Sequence, residues 1–192
     1  MTSGKLQGIR VALLVADGFK EFELFDTRRT LDQAGAATFV VGPTNDKLKG
    51  VNPAGGEVNV QVDIPLKSAM SQDFHALLLP GGGTNVKNLC LHTEAIEFVK
   101  DFMIGGKPVG SIGEAAAILI QTGTLRGRTL TSDASLGQDL KTAGANYIDK
   151  NIVCDGNLIT ARSLADVSIF NCELTRVLAE LRAHSSEVRK IA

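Results

Sequence analysis

PVGSIGEAAAIL, Pro108 to Leu119, decides how this chain is read. A short apolar run, Val109 to Ile112, feeds straight into an alanine-rich segment. This is how α/β enzymes lift one side chain onto the positive end of a helix, where a thiolate or oxyanion is stabilised. At the tip of the expected bend stands Gly113, which has no side chain to lift. Ser111 comes before the tip, so a serine nucleophile there would need a shifted turn.

Working outward, strand-length apolar runs alternate with amphipathic helical stretches, the pattern of a doubly wound parallel sheet. Ile9 to Val15 is expected as a strand and Phe22 to Ala34 as a helix with Leu24, Thr27, Leu31 and Ala34 on one face, ended by Gly35. Thr38 to Val41 is the next strand. Thr44 to Gly56 is polar and glycine-rich, and Val58 to Val62 alternates like an exposed antiparallel strand. Ala76 to Leu79 is a buried strand stopping at Pro80-Gly81-Gly82-Gly83, where glycine permits positive φ and close backbone approach. His92 to Ile104 is an amphipathic helix with Ile96, Val99 and Met103 toward the core. After the elbow, Glu114 to Gln121 is apolar nearly all round and expected to be buried. A short strand near Thr129 to Thr131, a helix from Leu136 to Ala143 and a strand at Asn146 to Ile148 follow. Asp155-Gly156 marks a hairpin, and a helix from Leu164 to about Leu181 closes the domain, with a mobile tail expected from about 182. Residues 1–192 are expected as a single domain: a flavodoxin-like three-layer sandwich, with a mostly parallel central sheet and helices on both faces.

Bulk composition narrows the function classes. The 192 residues, 44% apolar, suit one α/β domain. With 20 basic and 21 acidic residues and no run of either sign, neither nucleic acid nor a membrane surface is indicated as a partner. The start, MTSGKLQG, lacks a signal-peptide pattern, and no apolar run reaches the roughly 20 residues of a membrane span, so a cytoplasmic protein is expected. Cys90, Cys154 and Cys172 are widely spaced and odd in number, which argues against a disulfide framework or zinc site. Cys154 and Cys172 read as small buried hydrophobes, Cys90 as a loop residue. No two histidines share a metal-binding spacing. His75 opens a strand, and His92 neighbours a helix cap. No metal or cofactor is implied. Gly81, Gly82 and Gly83 offer backbone amides to an oxyanion or ligand, without the lysine-serine ending of a phosphate loop.

Four ordered segments, ADGFKEFEL (Ala16 to Leu24), HALLLPGG (His75 to Gly82), GKPVGSIGEAAAIL (Gly106 to Leu119) and GTLRGRTLTS with VCDGNLITARSLAD (Gly123 to Ser132, Val153 to Asp166), resemble the ThiJ/PfpI family. The family shares its fold with class I glutamine amidotransferase domains. Its elbow reads Ala-Ile-Cys-His-Gly; the resemblance aligns Ile112 with the isoleucine and so sets Gly113, Glu114 and Ala115 where cysteine, histidine and glycine stand. The acid that orients the histidine across a subunit interface in protease-type members aligns near Lys87. The glutamate beneath the nucleophile aligns with Glu23. The resemblance thus implies a divergent, stress-associated member, dimeric or higher, whose cysteine-based protease or deglycase chemistry is lost. In this it is similar to the terminal domain of large-subunit catalases.

Two functional readings follow. The first is a non-catalytic oligomeric scaffold or small-ligand-binding domain. The second is a cysteine-independent lyase or hydratase in which Glu23 and Glu114 work as an acid/base pair on a small carbonyl compound, since two carboxyls in one pocket push one pKa upward. Glu114 also has a structural reading, as an acid at a helix start, and it would pair with Lys87 across a dimer if the interface charges have been exchanged. A closed apolar space at Gly113 favours the first reading, and an open polar one faced by both glutamates favours the second.

Overall fold

In this computed structural model, the structure describes residues 4–191, with side chains as far as Ala183. The elements in chain order are β1 (Arg10–Leu14), β2 (Phe19–Lys20), α1 (Glu21–Gln33), β3 (Ala37–Gly42), β4 (Lys47–Val51), β5 (Glu57–Gln61), β6 (Ile64–Pro65) and β7 (Ala76–Leu79). They continue with α2 (Gly83–Cys90), α3 (Thr93–Ile104), β8 (Val109–Ile112), α4 (Ala116–Gln121), β9 (Thr129–Leu130), α5 (Gly137–Thr142), β10 (Asn146–Tyr147), β11 (Ile152–Asp155), β12 (Leu158–Ala161) and α6 (Val167–Ile191). Seven strands form the central sheet in the order β11-β12-β8-β7-β1-β3-β6. Every pairing in it is parallel except the β11–β12 hairpin.

Period-two alternation splits the sheet's side chains between two cores. Ala12 and Leu14 join Leu77, Leu79 and Val109 against α2 to α5, where Val86, Phe98, Phe102 and Ile118 pack. Val11, Leu13 and Val15 face the other way, against Leu24 and Leu31 of α1 and Phe170 and Leu174 of α6. Both faces are covered, which is why the inner strands read as unbroken apolar runs. The expected three-layer, flavodoxin-like α/β architecture is what the chain adopts.

Several local readings need correction. The polar stretch after Thr44 contains β4, which pairs antiparallel with β5 and parallel with β2 in a separate small sheet. Its sequence KLKGV buries only Leu48 and Gly50, too few apolar residues to announce a strand. Residues Gly83–Cys90 form α2, so Cys90 ends a helix rather than lying in a loop. Cys154 and Cys172 are exposed, not buried. One lies on edge strand β11 and the other on α6, positions where residue type does not reveal facing. The elbow helix begins with a 3-10 turn over Gly113–Ala115 before α4. The closing helix runs on to Ile191, past the expected end near Leu181; side chains from 184 onward, on which the expected tail mobility bears, lie outside the described residues.

Candidate functional site

The carboxyl ends of β1, β7 and β8 bring three turns together. At the third, β8 is followed by Gly113, which is buried and has φ of +56°, the left-handed conformation that a catalytic elbow imposes on its tip. A Cβ built on Gly113 would have only the Arg162 carbonyl oxygen near it, at 3.7 Å. The bend therefore has the shape for a side chain and room for one, while carrying none. No cysteine fills that space. Cys154 Sγ approaches Glu173 at 3.9 Å, where burial and the glutamate's charge push its thiol pKa up.

The second turn follows β7. Gly82 has φ of +105°, and a Cβ there would run into the Gly18 carbonyl oxygen, so glycine is sterically required. Asn85, fully buried, brackets this turn: its Oδ1 accepts from the Ala16 N–H at 2.7 Å, and its Nδ2 donates to the Pro80 and Gly81 carbonyls at 2.9 and 3.1 Å. Sequence reading passed over Asn85, because an isolated asparagine beside glycines carries no motif.

The first turn supplies the ionisable groups. Phe19 is buried edge-on against Phe25, ring centroids 6.1 Å apart, which fixes Lys20 at the start of α1. Glu23 follows in the first turn and is 0% exposed. Its Oε2 accepts the Gly81 N–H at 2.6 Å; its Oε1 is buried without a hydrogen-bond partner. Lys20 Nζ lies 3.6 Å from that Oε1 and donates to both oxygens of Glu114, at 2.9 and 2.7 Å. Gly82 N–H makes a long 3.4 Å bond to Glu114 Oε2. Both carboxyls crowd Gly81: a Cβ there would stand 2.7 Å from Glu114 Oε2 and 2.8 Å from Glu23 Oε2. A third carboxylate approaches from the loop after β9, where the Asp133 N–H donates to the Gly113 carbonyl at 3.3 Å.

The environments separate the two glutamates. Burial, reinforced by the Glu114 charge and opposed by Lys20 and the Gly81 amide, raises Glu23 to about 7. Burial acts the same way on half-buried Glu114, but its bonds with Lys20 outweigh it and the pKa falls. Lys20 is itself destabilised as a cation by burial, yet Glu114, Glu23 and Asp133 hold its pKa above the usual lysine value. Near neutrality the cluster thus holds a Glu23 that is about half protonated, an ionised Glu114 and a charged Lys20. A lysine so strongly held as ammonium is no Schiff-base nucleophile.

The structure brings Glu23, Glu114, Gly81 and Gly82 of the expected site together around Gly113 and Ala115. Gly83 starts α2 with no atom near its Cβ position. The amides of Gly81 and Gly82 face the protein's own carboxylates, which corrects the expectation of a loop open to an oxyanion. The cation on Glu114 is Lys20 of the same chain, whereas Lys87 is exposed on α2. Lys20 was legible in KEFE, where lysine and glutamate three apart share a helix face at its start. Ser111 is buried on β8 with an unpartnered hydroxyl, not at the tip. His75 Nδ1 accepts the Arg10 N–H at 3.0 Å, and His92 is the N-cap residue of α3. Among the described residues, no three His, Cys, Asp or Glu side chains gather as a metal site requires, and no helix is long and apolar enough to cross a membrane.

Known proteins share this fold. The chain is 36% identical over 172 residues to an uncharacterised protein of Staphylococcus aureus strain Mu50, covering 88% of this chain and 98% of that one. A Staphylococcus epidermidis homologue is 34% identical, at 88% and 97% coverage. Among solved structures, a two-domain Anabaena variabilis protein with DJ-1/ThiJ/PfpI-like and ferritin-like domains superposes with a TM-score of 0.82 at 32% identity, over 90% of this chain and 48% of that one. A mutant of a DJ-1 superfamily protein from Salmonella typhimurium, cysteine changed to alanine, gives 0.77 at 27% identity, over 93% and 98%. Residues 9–177 match the DJ-1/PfpI family as a whole, and the chain belongs to that family.

Proposed function

We propose that this protein is a DJ-1/PfpI domain whose site works without cysteine, binding a small neutral molecule through a carbonyl-type oxygen. The observation that carries the reading is Glu23: fully buried, anchored through Oε2 by the Gly81 amide, with Oε1 making no hydrogen bond and approached only by the Lys20 ammonium at 3.6 Å. A protonated carboxyl there carries one O–H while its Oε1 makes no hydrogen bond in the protein, and an unmet buried donor costs about 1–3 kcal/mol. A ligand oxygen meets it. Charge favours a neutral ligand, because Lys20 and Glu114 already cancel and a further anion would face Glu114 and Asp133.

The same geometry ranks binding ahead of catalysis. Glu114 is held on both oxygens by Lys20 and its pKa is lowered, which makes it a weak base. Lyase or hydratase chemistry by Glu23 and Glu114 is the second reading, supported by their convergence on Gly81. Assembly as a homodimer or higher oligomer and a role in stress rest on family resemblance, and a cytoplasmic setting on the missing signal-peptide and membrane-span patterns. The ferritin-like companion domain of the Anabaena variabilis relative is a reason to test a ferritin-like partner.

The test is a binding titration with small ketones at pH 6, before and after thiol alkylation, in wild type, Glu23→Gln and Glu114→Gln. Binding that survives alkylation and weakens at least tenfold in Glu23→Gln is expected. Binding abolished by alkylation would return the function to a cysteine. Turnover of α-dicarbonyls or isonitriles that disappears in Glu114→Gln would promote the enzyme reading.

A further inference from the structure

The outer seam between α1 and α6 carries polar groups that neither the fold nor the elbow uses. A groove of about 510 Å³ runs along it, lined by Lys5, Thr30, Asn171, Cys172, Thr175 and Arg176 among others. Small-molecule sites occupy roughly 300–1,000 Å³, so the groove has the right size. Asn171 is its most informative residue. It lines the groove yet is only 4% exposed. Its Nδ2 is engaged with α1, donating to Asp26 Oδ2 at 3.1 Å and more weakly to Thr30 Oγ1 at 3.5 Å. Its Oδ1 is buried without a hydrogen-bond partner, which native proteins rarely tolerate without a reason.

The neighbouring hydroxyls do not supply the missing donor. Thr30 Oγ1 donates to the Asp26 carbonyl at 2.9 Å and Thr175 Oγ1 to the Asn171 carbonyl at 2.7 Å, so each hydroxyl proton is committed to its own helix. The uncharged polar side chains of the groove therefore offer acceptors, and an N–H must come from a ligand. The charges differ from one another. Arg176 is held by Glu173 and Glu180 at 2.9 and 2.7 Å, whereas Lys5 is exposed and makes no ion pair among the described residues. One cation is thus available to an acid. Beside these groups stands the exposed thiol of Cys172. The other two thiols are less well placed for exchange: burial pushes the pKa of Cys90 and Cys154 up, and the Glu173 charge adds to it at Cys154, which lowers the thiolate fraction that reacts.

We infer that the α1–α6 groove is a site of reversible thiolation, taking the disulfide of a small acidic peptide thiol. A peptide N–H meets Asn171 Oδ1, a carboxylate meets Lys5, and a sulfur meets Cys172. The Cys172 thiolate attacks one sulfur of the disulfide; the new S–S bond forms as the old one breaks, and the departing half leaves with the electron pair as a thiolate that solvent protonates. Cys172 is oxidised and the departing half is reduced, so the disulfide is the only oxidant required. Free peptide thiol reverses the step. None of these groups belongs to the elbow, and the inference stands apart from the ketone reading.

The full chain is treated with oxidised glutathione, an acidic tripeptide disulfide, and separately with neutral 2-hydroxyethyl disulfide, and modification of Cys172 and Cys154 is followed by peptide mass spectrometry. The rate ratio of acidic to neutral reagent should be about tenfold higher at Cys172 than at Cys154, as one charge-assisted or buried hydrogen bond allows. Asn171→Ala should remove most of that preference while leaving the neutral reagent within about twofold. Lys5→Glu, at an exposed position on which packing does not depend, should lower it about threefold. Equal ratios at the two cysteines, or a preference at Cys172 that neither substitution moves, would overturn the site and leave an exposed thiol only.

Discussion

Two glycines with positive φ, Gly82 and Gly113, stand beside the same pair of glutamates for opposite reasons. At Gly82 the backbone of Gly18 occupies the space a side chain would need. At Gly113 nothing but one carbonyl at 3.7 Å borders that space. The first glycine is imposed by packing, and the second is not. An elbow kept bent to +56°, with its space open and its neighbouring carboxyl buried, points to a site serving something other than its own side chain.

The largest effect that could break this comparison is at Gly82. Gly82→Ala combines a backbone clash with left-handed strain and is expected to destabilise by roughly 4 kcal/mol, whereas Gly113→Ala should lose only about 1–2 kcal/mol of strain. Equal losses in denaturant titrations would erase the distinction. Next comes Glu23. A folded-state pKa of about 7 against an ordinary 4.5 means that the native state holds this proton longer than the unfolded chain. Stability from this group is therefore full below about 4.5 and falls as pH rises toward 7, by an amount on the order of 3 kcal/mol. Glu114 and Lys20 act outside that window, since one pKa is lowered from the usual carboxylate value and the other raised from that of lysine. Glu23→Gln should flatten the profile and be more stable than wild type at pH 8; parallel profiles would remove the buried proton.

A smaller effect sharpens the contrast. Gly113→Cys should fold at a cost of about 1–2 kcal/mol and be alkylated at pH 7 ahead of Cys154, whose thiol pKa is raised. A protected thiol at 113 would show that the space is closed. Smallest is Lys20→Met. Removing a partly exposed ion pair should cost about 1 kcal/mol after solvent screening, and loss of the cation should move Glu23 above its present value. A downward move would mean that Lys20 does not face Glu23.

How much of this was legible follows from where the signals live. Strands such as Ala76–Leu79 and the Asp155-Gly156 hairpin are written in local runs and turn residues. The register that put Gly113 at the bend was legible for the same reason. Strand β4 and helix α2 were not, because Leu48 alone marks the one, and the other is fixed by Asn85 gripping a loop across the sheet. Glu23 and Glu114 were identified by resemblance, while Lys87 was weighed as a partner of Glu114 across a dimer and Lys20 of the same chain was not weighed. Pairing 94 residues apart, between Lys20 and Glu114, is decided by β7 lying between β1 and β8 and bringing their carboxyl ends to one edge, which residue spacing does not encode. The outward facing of Cys154 and Cys172 escaped for a similar cause, since burial at an edge strand or an outer helix depends on what packs above it.

The central claim is that Glu23 carries a proton near neutral pH and offers it to a ligand. A carboxyl ¹³C NMR titration of Glu23, with and without acetone, measures this directly. A midpoint near 7 that moves higher when the ketone is bound is the expected result. A midpoint in the ordinary glutamate range near 4.3, unmoved by ligand, would contradict it.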